Sequence, residues 1–452
     1  MKFRMHFIAL ALTAASITSV ALAQEGERLP WGALKAGNKD GSIPAWSGGL
    51  SAKTFPAGFK ADSGSWVDPY AAEKPLYTVS AANVQQYADK LSEGIKALIK
   101  RYPDTFKIDV YPTHRSANYS DWVIENTKKN AAGRCKLIDD GNNVDGCFGG
   151  FPFPNPKNGA EAIWNFTLGP KGASTWTHGE SWYVDANGNK VMSSVVNNRN
   201  NNDYYNKSLT PEQFYAQGGL YFANNNVYDG PARLVGEGNL QRKFIGKGSD
   251  PDRTWSYSPG QRRVRLSPSA SYDFPVATSA GTMLYDEIYS FSGKMDRFDW
   301  KLLGSKEMLM PSNNYKAFLA KADDVLQKGH PKMDVLRFEL RRVNVVEATR
   351  KAGARHVLAK RVFYLEEDIP SSAVIDSFDD AGTVAKVTFN PTAWAYDKQI
   401  IYTGGTYYLD LKTGAWYNSS NTTASKGIFF EIDKVDVNSF YSPEGLARRS
   451  QR

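Results

Sequence analysis

The fold class is decided by the segment Trp176-Thr-His-Gly-Glu-Ser-Trp-Tyr-Val184, its continuation Asp-Ala-Asn187-Gly188-Asn-Lys, and the run Val191-Met-Ser-Ser-Val-Val-Asn197. In both runs apolar and polar residues alternate, which is typical of a strand with one buried face. The Asn-Gly pair between them is preferred in tight hairpin turns, because both residues tolerate a positive φ. The segment therefore predicts an antiparallel β-hairpin.

Further strand candidates follow this hairpin along the chain. A first group comprises residues 219–228, 231–241, 254–258, 262–267 and 298–310. A second group predicts a C-terminal meander and comprises residues 336–345, 357–365, 373–378, 383–389, 396–402 and 405–410. In the first run of this meander the apolar alternation changes phase across Arg341-Arg342, which predicts a β-bulge.

Helical periodicity precedes the hairpin. Residues Ala81 to Lys100 carry one apolar stripe and follow Ser80, a suitable N-cap, which predicts a long amphipathic helix. The residues of the stripe are Val84, Tyr87, Leu91, Ile95 and Leu98. Shorter helices are predicted over Ala117–Ala131, over Gly159–Leu168 and after Pro211.

These elements predict a β-rich α+β fold: one large antiparallel sheet with helices packed on one face. No repeat at a fixed period and no Pro/Ser-rich linker divides residues 80–430. We therefore expect a single domain over residues 80–452. Residues 24–79 are rich in Gly, Pro and Ser and predict an extended arm that packs on the body through isolated aromatic side chains: Trp31, Trp46, Phe55, Phe59 and Trp66.

Residues 1–23 have the pattern of a secretory signal peptide. Lys2 and Arg4 form a basic start, Phe7 to Val20 carries no charge, and Ala21-Leu22-Ala23 matches the small-x-small cleavage pattern. A membrane anchor is the alternative, but a span needs about 20 apolar residues. We expect a mature chain that begins at Gln24 and is located in the periplasm of a bacterium.

Two cysteines, Cys135 and Cys147, flank a loop rich in Asp, Asn and Gly. In an oxidising compartment, such a pair predicts one disulfide bond. Loop-closure entropy gives a stabilisation of about 3 kcal/mol for a ring of this size. A redox or metal-binding role is disfavoured, because the spacing is not Cys-x-x-Cys and no histidine is near.

The sequence contains no pattern that points to a particular catalytic reaction. The histidines after residue 23 are His114, His178, His330 and His356; they are scattered, and none lies at metal-ligand spacing from another His or Cys. No nucleophile elbow, phosphate-binding loop or dinucleotide-binding glycine pattern is present. The net charge of +8 is dispersed along the chain, which argues against nucleic-acid binding. We therefore predict neither a cofactor nor a metal, and an enzyme remains unsupported.

The most distinctive cluster of like charges is Arg262-Arg263-Val264-Arg265. In an extended strand, Arg263 and Arg265 share one face. Two guanidinium groups on one face could bind a phosphate or a carboxylate. The alternative is a charged, solvated strand face that keeps the protein soluble.

Several longer motifs together resemble one family. They are Trp31-Gly-Ala-Leu-Lys-Ala-Gly-Asn-Lys-Asp-Gly-Ser-Ile-Pro-Ala-Trp46, Pro152-Phe-Pro-Asn-Pro-Lys-Asn-Gly159, Pro259-Gly-Gln-Arg-Arg-Val-Arg265, Arg297-Phe-Asp-Trp-Lys-Leu-Leu-Gly304, Val346-Glu-Ala-Thr and Lys360-Arg-Val-Phe-Tyr-Leu365. The chain is similar to family 1329 of the domains of unknown function, secreted proteins of Gram-negative bacteria. The resemblance implies a LolA/LolB-like lipoprotein-carrier fold, in which helices plug a strongly curved, unclosed barrel. It also implies a resistance-nodulation-division exporter and an outer-membrane protein as partners.

The leading functional prediction is a periplasmic carrier or chaperone of a hydrophobic molecule. Helical residues Leu91 and Ile95 would close an apolar cavity, Trp300 would contribute to its aromatic lining, and Arg263 and Arg265 would bind an anionic group. Abundant aromatic residues, with 24 Tyr, 23 Phe and 11 Trp, suit such an interior. Two alternatives stay open: a hydrolase that acts on a lipid, and a glycan-binding or envelope-scaffolding protein.

Overall fold

The structure is a computed structural model that describes residues 26–403, 405–421, 427–430 and 435–451. The side chains of residues 420 and 421 are not described. The predicted signal peptide, residues 1–23, lies outside the described residues.

Strands account for most of the regular structure. They are β1 Tyr77–Val79, β2 Ile108–Tyr111, β3 Lys136–Ile138, β4 Asn143–Asp145, β5 Ser174–Val184, β6 Lys190–Asn201, β7 Leu220–Gly230, β8 Gly238–Phe244, β9 Arg253–Ser258, β10 Arg263–Leu266, β11 Phe298–Met310, β12 Phe338–Arg350, β13 Lys360–Glu366, β14 Ala373–Phe378, β15 Val384–Phe389, β16 Thr392–Ala395, β17 Ile400–Thr403, β18 Thr406–Asp410, β19 Trp416–Asn421 and β20 Gly427–Phe430.

The α-helices are short. They are α1 Glu93–Arg101, α2 Asp121–Lys129, α3 Gly159–Thr167, α4 Pro211–Ala216, α5 Tyr315–Leu319, α6 Ala322–Val325, α7 Val437–Phe440 and α8 Pro443–Ser450. A 3-10 helix at Val84–Lys90 precedes α1, and a π-helical turn at Asn130–Arg134 extends α2. Further 3-10 turns lie at Asp139–Gly141, Asp203–Tyr205, Ala232–Leu234, Ala277–Ser279, Tyr285–Glu287 and Met333–Val335.

Sixteen strands form one sheet, in the order β1-β2-β12-β13-β14-β15-β18-β19-β5-β6-β7-β8-β9-β10. In addition, β11 pairs with β12 and β20 pairs with β5. Neighbours are antiparallel except β2 and β12. The end strands β1 and β10 do not pair with each other, so the sheet is not closed into a barrel. The predicted fold class, a β-rich α+β protein with a large unclosed sheet, is confirmed.

The hairpin from which the fold class was predicted forms as expected. Strands β5 and β6 pair in antiparallel fashion over their whole length, with a register shift beside Ser181. The carboxylate of Asp185 accepts hydrogen bonds from the backbone N–H groups of Asn187 and Asn189, each at 2.9 Å. Gly188 has a φ of 94°, which a glycine adopts without steric cost.

The sheet is strongly curved. Tyr408 on β18 and Thr254 on β9 line the same cavity of about 410 Å³. In a flat sheet these strands would lie about 29 Å apart, given the usual spacing of about 4.8 Å between neighbours. Only a curved sheet can bring both side chains to one cavity of this size, so the cavity-bearing face is concave.

Alternate residues along the strands define two faces. The inner face carries Phe363 and Ile375, and the outer face carries Tyr364 and Val374. The inner face packs against one hydrophobic core that contains α3 residues, and the outer face packs against a second core that contains α1 residues. A third core joins α8 to the outer side of β7 and β8. The helices therefore lie on both faces, and not on one face as predicted, because the central strands are apolar on both sides.

The amphipathic helix predicted over 81–100 is shorter than expected. A 3-10 helix occupies Val84–Lys90, Leu91 is extended, and α1 begins only at Glu93, with the Ser92 side chain as its N-cap. The reason is a tertiary contact: the carboxylate of Asp376 on β14 accepts hydrogen bonds from Ser92 Oγ and Gly94 N, both at 2.9 Å. The helix therefore starts where it meets the sheet.

The predicted bulge at Arg341-Arg342 is wrong. The pairing of β12 with β11 is regular at these residues and shifts instead between Leu302 and Gly304 on β11. The alternation of apolar and polar residues is interrupted there because β12 is buried on both faces over most of its length. Arg341 and Arg342 are themselves buried.

The N-terminal segment, residues 26–76, forms no helix or strand and packs on the inner-face core through its aromatic residues. Trp31 and Trp66 belong to that core, and Trp46 packs against it. A side chain at Gly32, whose φ is 97°, would place its Cβ 1.5 Å from the carbonyl oxygen of Pro154. The segment therefore docks closely on the loop of residues 148–156.

The disulfide bond between Cys135 and Cys147 is present and belongs to the same core. It closes the loop that contains the β3–β4 hairpin.

Candidate functional site

Four adjoining cavities occupy the inner face and its rim. We call them the apolar cavity (about 160 Å³), the polar cavity (about 410 Å³), the lysine cavity (about 40 Å³) and the charged cavity (about 320 Å³). Tyr289 lines the apolar, polar and lysine cavities. Lys171 lines the lysine and apolar cavities, and Lys243 lines the lysine and charged cavities.

Aromatic and aliphatic side chains from distant parts of the chain form one wall of the apolar cavity. They are Phe166, Phe222, Ile401, Tyr402, Ile428 and Phe430. Strands β5 and β6 contribute polar side chains to the same lining: Thr175, Thr177, Asn198 and Asn200. The cavity is therefore amphipathic, with its apolar wall supplied by α3, β17, β20 and β7.

The polar cavity lies over the inner face of β5–β9, under the loop of residues 276–289. Its lining from the sheet is rich in amide and hydroxyl groups: Ser181, Ser194, Asn198, Asn224, Asn226, Asn239, Gln241, Thr254 and Ser256. Alternate residues of the asparagine-rich strands β6 and β7 supply four of them, and β5, β8 and β9 supply the others. The sheet also contributes Val196, Tyr228, Tyr257, Tyr408 and Tyr417 to this lining. The apolar cavity predicted from the sequence therefore does not extend over this half of the inner face.

Tyr289 separates these two cavities in a fixed position. Asn224 Nδ2 donates to the Tyr289 hydroxyl at 3.2 Å and to Asn200 Oδ1 at 2.6 Å. The rings of Phe222 and Tyr289 pack edge to face at 5.7 Å. Tyr289 and Ser290 have φ values of 56° and 70°, a conformation that costs of order 1 kcal/mol for each residue. The side chain is 41 % exposed because it borders empty space on several sides.

Two lysines in the lysine cavity have no carboxylate partner among the described residues. Lys171 Nζ donates to the backbone oxygen of Thr167 at 2.9 Å, and Lys243 Nζ donates to the backbone oxygen of Ser292. Burial and then the charge of Lys243 lower the pKa of Lys171 to about 8. Burial also lowers the pKa of Lys243, against the effect of Asp252 and Asp286.

A buried charged cluster anchors the loop over the inner face. His356 Nε2 lies 3.0 Å from Asp286 Oδ2, and Arg361 Nη2 donates to the same oxygen at 2.6 Å. The backbone N–H of Leu358 donates to His356 Nδ1 at 3.0 Å, so the ring proton lies on Nε2. Both nitrogens are occupied, which leaves His356 without a position for proton transfer to a ligand.

The residues predicted from the sequence do not come together. Arg263 and Arg265 are exposed on the edge strand β10, opposite Ser258 and Ser256. Ser256 lines the polar cavity, so the two arginines project from the cavity-bearing face at its outer edge. They share one face, as their spacing predicted.

The other predicted ligand-binding residues lie in packed regions. Leu91 and Ile95 belong to the outer-face core and line none of the cavities. Trp300 packs against Phe291, Phe298 and Phe363, and its indole N–H donates to the backbone oxygen of Met295 at 2.9 Å.

Sequence reasoning missed the lysines and Tyr289. Lys171 lies between Pro170 and Gly172, and Lys243 lies between Arg242 and Phe244. Nothing in these neighbours distinguishes the two lysines from exposed ones. The asparagine runs at 197–202 and 224–226 did carry a signal, since alternate asparagines on paired strands line one face.

Within the described ranges, no group of three His, Cys, Asp or Glu side chains could hold a metal ion. No helix in that part of the chain is long and apolar enough to cross a membrane.

Comparison with known proteins identifies relatives. The family described as "Protein of unknown function (DUF1329)" matches residues 78–447. An uncharacterized protein of Pseudomonas aeruginosa is 36% identical over an alignment of 455 residues, gaps included. The alignment covers 98% of this chain and 97% of that protein.

Solved structures with partial likeness include a DUF1329 family protein from Desulfovibrio piger (TM-score 0.42, 13% identity, 63% of this chain and 95% of that chain). A domain described as an outer membrane lipoprotein-sorting protein, from Vibrio parahaemolyticus, has a TM-score of 0.42, 14% identity and coverage of 64% and 97%. A LolA superfamily protein from Nitrosomonas europaea has a TM-score of 0.35, 10% identity and coverage of 64% and 98%. At these TM-scores, none of the three likenesses supports a functional assignment.

Proposed function

The chain belongs to the DUF1329 family, and from that premise we propose that it is a periplasmic carrier of a hydrophobic ligand. The ligand is held on the concave inner face of the sheet, and the carrier works with an envelope export system. The observation that carries the proposal is the apolar cavity, which has a lining of aromatic and aliphatic side chains and adjoins the lysine and polar cavities.

An apolar chain would gain affinity in this cavity by leaving water. Each buried CH₂ group contributes about 0.8 kcal/mol. Concave, mostly apolar sites with a few polar groups are the usual form of small-molecule sites. The central part of the sheet, which is packed on both faces, supplies a rigid support for the cavity wall.

The direct test is ligand binding by the purified full-length protein. Native mass spectrometry should find a co-purified apolar molecule, and the uncharged dye N-phenyl-1-naphthylamine should bind with increased fluorescence. Thr177→Trp should fill the apolar cavity and abolish dye binding, because Thr177 lines it. The control His178→Trp places the same ring on the opposite face of β5 and should leave dye binding unchanged.

The proposal fails if the folded wild-type protein neither binds the dye nor carries an apolar molecule. Equal effects of Thr177→Trp and His178→Trp would also contradict it. Melting temperatures of both variants show whether a loss of binding reflects unfolding.

The partnership with an exporter of the resistance-nodulation-division type and an outer-membrane protein stays a prediction from the family resemblance. Affinity purification from the native periplasm and envelope tests it. Co-purification of both membrane proteins is the expected result.

A second candidate, glycan binding, is favoured by the polar cavity. Its amide and hydroxyl lining suits the hydroxyl groups of a sugar. Calorimetric titration with envelope-derived oligosaccharides tests it; binding of these without binding of the dye would favour this candidate over the carrier.

A further inference from the structure

We infer that the ligand carries an anionic head group, a carboxylate or a phosphate, which is bound by Lys171 and Lys243 where the lysine cavity meets the apolar cavity. This inference rests on the proposed carrier function and specifies its ligand class: an anionic amphiphile. Its apolar chain occupies the apolar cavity.

The first observation is the lack of an ion-pair partner for either lysine. Neither Lys171 nor Lys243 forms an ion pair with any described residue. Several buried cations of this protein do form ion pairs: Lys386 pairs with Glu287, Arg361 with Asp286, and Arg115 with Asp368. Buried Arg342 does not, but it is a single charge that lines none of the four cavities. Lys171 and Lys243 are half-buried, and an unpaired charge withdrawn from water is costly, so two such lysines in one cavity favour an anionic ligand.

The second observation is the unused hydrogen-bonding capacity of the two ammonium groups. Lys171 donates to one backbone oxygen, that of Thr167, and Lys243 donates to that of Ser292. An ammonium group has three N–H donors. Each lysine therefore keeps donors that no described protein atom accepts, and a carboxylate or phosphate offers several acceptor oxygens.

The third observation is the position of the lysines between the cavities. Lys171, Phe222 and Tyr289 line both the lysine cavity and the apolar cavity. A head group held by Lys171 therefore places its chain beside the apolar wall. Lys243 also lines the charged cavity, whose lining includes the exposed residues Asp252 and Arg253. The lysines thus lie on the route between solvent and the apolar wall.

The rival explanation for the two unpaired lysines is a neutral ligand, with both lysines uncharged when it is bound. The lowered pKa of Lys171, about 8, still leaves most of its side chain charged at pH 7. An anion would raise that pKa, whereas a neutral ligand would not. The two explanations therefore predict different pH dependences of affinity.

The experiment measures displacement of N-phenyl-1-naphthylamine from the full-length protein by three ligands of equal chain length. They are palmitate, hexadecyl phosphate and the neutral 1-hexadecanol. The two anionic ligands are used below their critical micelle concentrations, and the neutral one is used below its solubility limit. Inorganic phosphate is a fourth arm. The variants are Lys171→Gln and Lys243→Gln, and Lys207→Gln is the control because Lys207 is exposed and lines none of the cavities.

We expect each lysine variant to weaken palmitate or hexadecyl phosphate about tenfold, the usual size for loss of a charged hydrogen bond. Affinity for 1-hexadecanol should change less than twofold, and Lys207→Gln should change neither. Wild-type affinity for the anionic ligands should fall as the pH rises above 8, while affinity for 1-hexadecanol should not.

The inference is overturned if 1-hexadecanol binds as tightly as the anionic ligands and all three ligands respond alike to the lysine variants. Displacement by inorganic phosphate alone at equal concentration would also overturn it, because the site would then bind a free anion. Failure of every ligand and of the dye itself to bind wild-type protein would instead contradict the proposed carrier function.

Discussion

Arg115 and Asp368 form a bidentate ion pair: Arg115 Nε donates to Asp368 Oδ2 at 2.8 Å, and Arg115 Nη2 donates to Asp368 Oδ1 at 2.7 Å. The same guanidinium donates to the backbone oxygens of Leu34 and Lys35 in the N-terminal segment, at 2.8 and 2.9 Å. Both members of the pair are buried. One side chain therefore joins the N-terminal segment to the end of β13.

Arg115→Met should lower the free energy of unfolding by about 3 kcal/mol, because it removes the bidentate partner of the buried Asp368 carboxylate. Only the longer contact of Asp368 with Arg341 Nη2, at 3.3 Å, then remains. Lys35→Met, which removes the exposed Lys35–Glu27 pair, should cost less than about 1 kcal/mol. Urea unfolding of both variants measures the difference. Similar costs for the two variants would show that the buried pair does not hold the N-terminal segment in place.

Lys171→Met should stabilise the ligand-free protein by about 2 kcal/mol at pH 7, since it removes an unpaired, partly buried charge. Folding lowers the pKa of Lys171 from 10.5 to about 8. The unfolded state therefore binds the lysine proton more tightly than the folded state does. The destabilisation of the folded state by the Lys171 charge is thus fully present below pH 8 and disappears as the pH rises toward 10.5. Chemical denaturation at pH 7 and pH 10, with Lys207→Met as control, tests this; a destabilised Lys171→Met at pH 7 would contradict it.

Asp376 should make stability fall as the pH rises from about 4 to about 6. Burial raises the pKa of Asp376 from 3.8 to about 6. The folded state then holds the proton more tightly, so the stabilising contribution is present below the unfolded pKa and is lost as the pH rises through 6. The loss is about 3 kcal/mol. Asp376→Asn should flatten the profile in this range relative to wild type, and Asp104→Asn, at an exposed position, should not; matching slopes in all three proteins would refute the assignment.

Arg263 and Arg265 should affect binding to anionic surfaces rather than folding. Both are exposed and form no ion pair with a described residue. The double change Arg263→Gln with Arg265→Gln should weaken binding to vesicles that contain an anionic lipid roughly fivefold for each arginine, with an unchanged melting temperature. Lys39→Gln with Lys60→Gln removes the same charge at exposed positions. A large loss of melting temperature with unchanged binding would mean that the arginines have a structural role.

Local patterns predicted most of the strands, because a strand with one buried face repeats every two residues. The hairpin β5–β6 and the meander from β12 to β18 follow from such patterns. Local patterns failed where burial is two-sided. Arg341 interrupts the apolar alternation without a bulge. It is a charged residue that can be buried in the strand because it forms ion pairs with Glu339, Glu366 and Asp368.

The candidate site was less predictable than the fold. The arginines were placed on one strand face correctly, but Leu91, Ile95 and Trp300 proved to be buried among other core side chains. An apolar stripe shows that a helix has a buried face, yet it does not show which sheet face covers it. The cavities lie on the opposite face from α1.

The sequence by itself determined the family, the β-rich class, the hairpin and the cysteine pair, because each depends on residues that are adjacent or at fixed spacing. The tertiary structure alone decided the cavities and the position of the two lysines within them. Lys171 and Lys243 are 72 residues apart in the sequence, and only the curvature of the sheet and the loop across its inner face bring them to one cavity. The charge of a lysine is visible in a sequence, but whether it has an ion-pair partner depends on the tertiary structure around it.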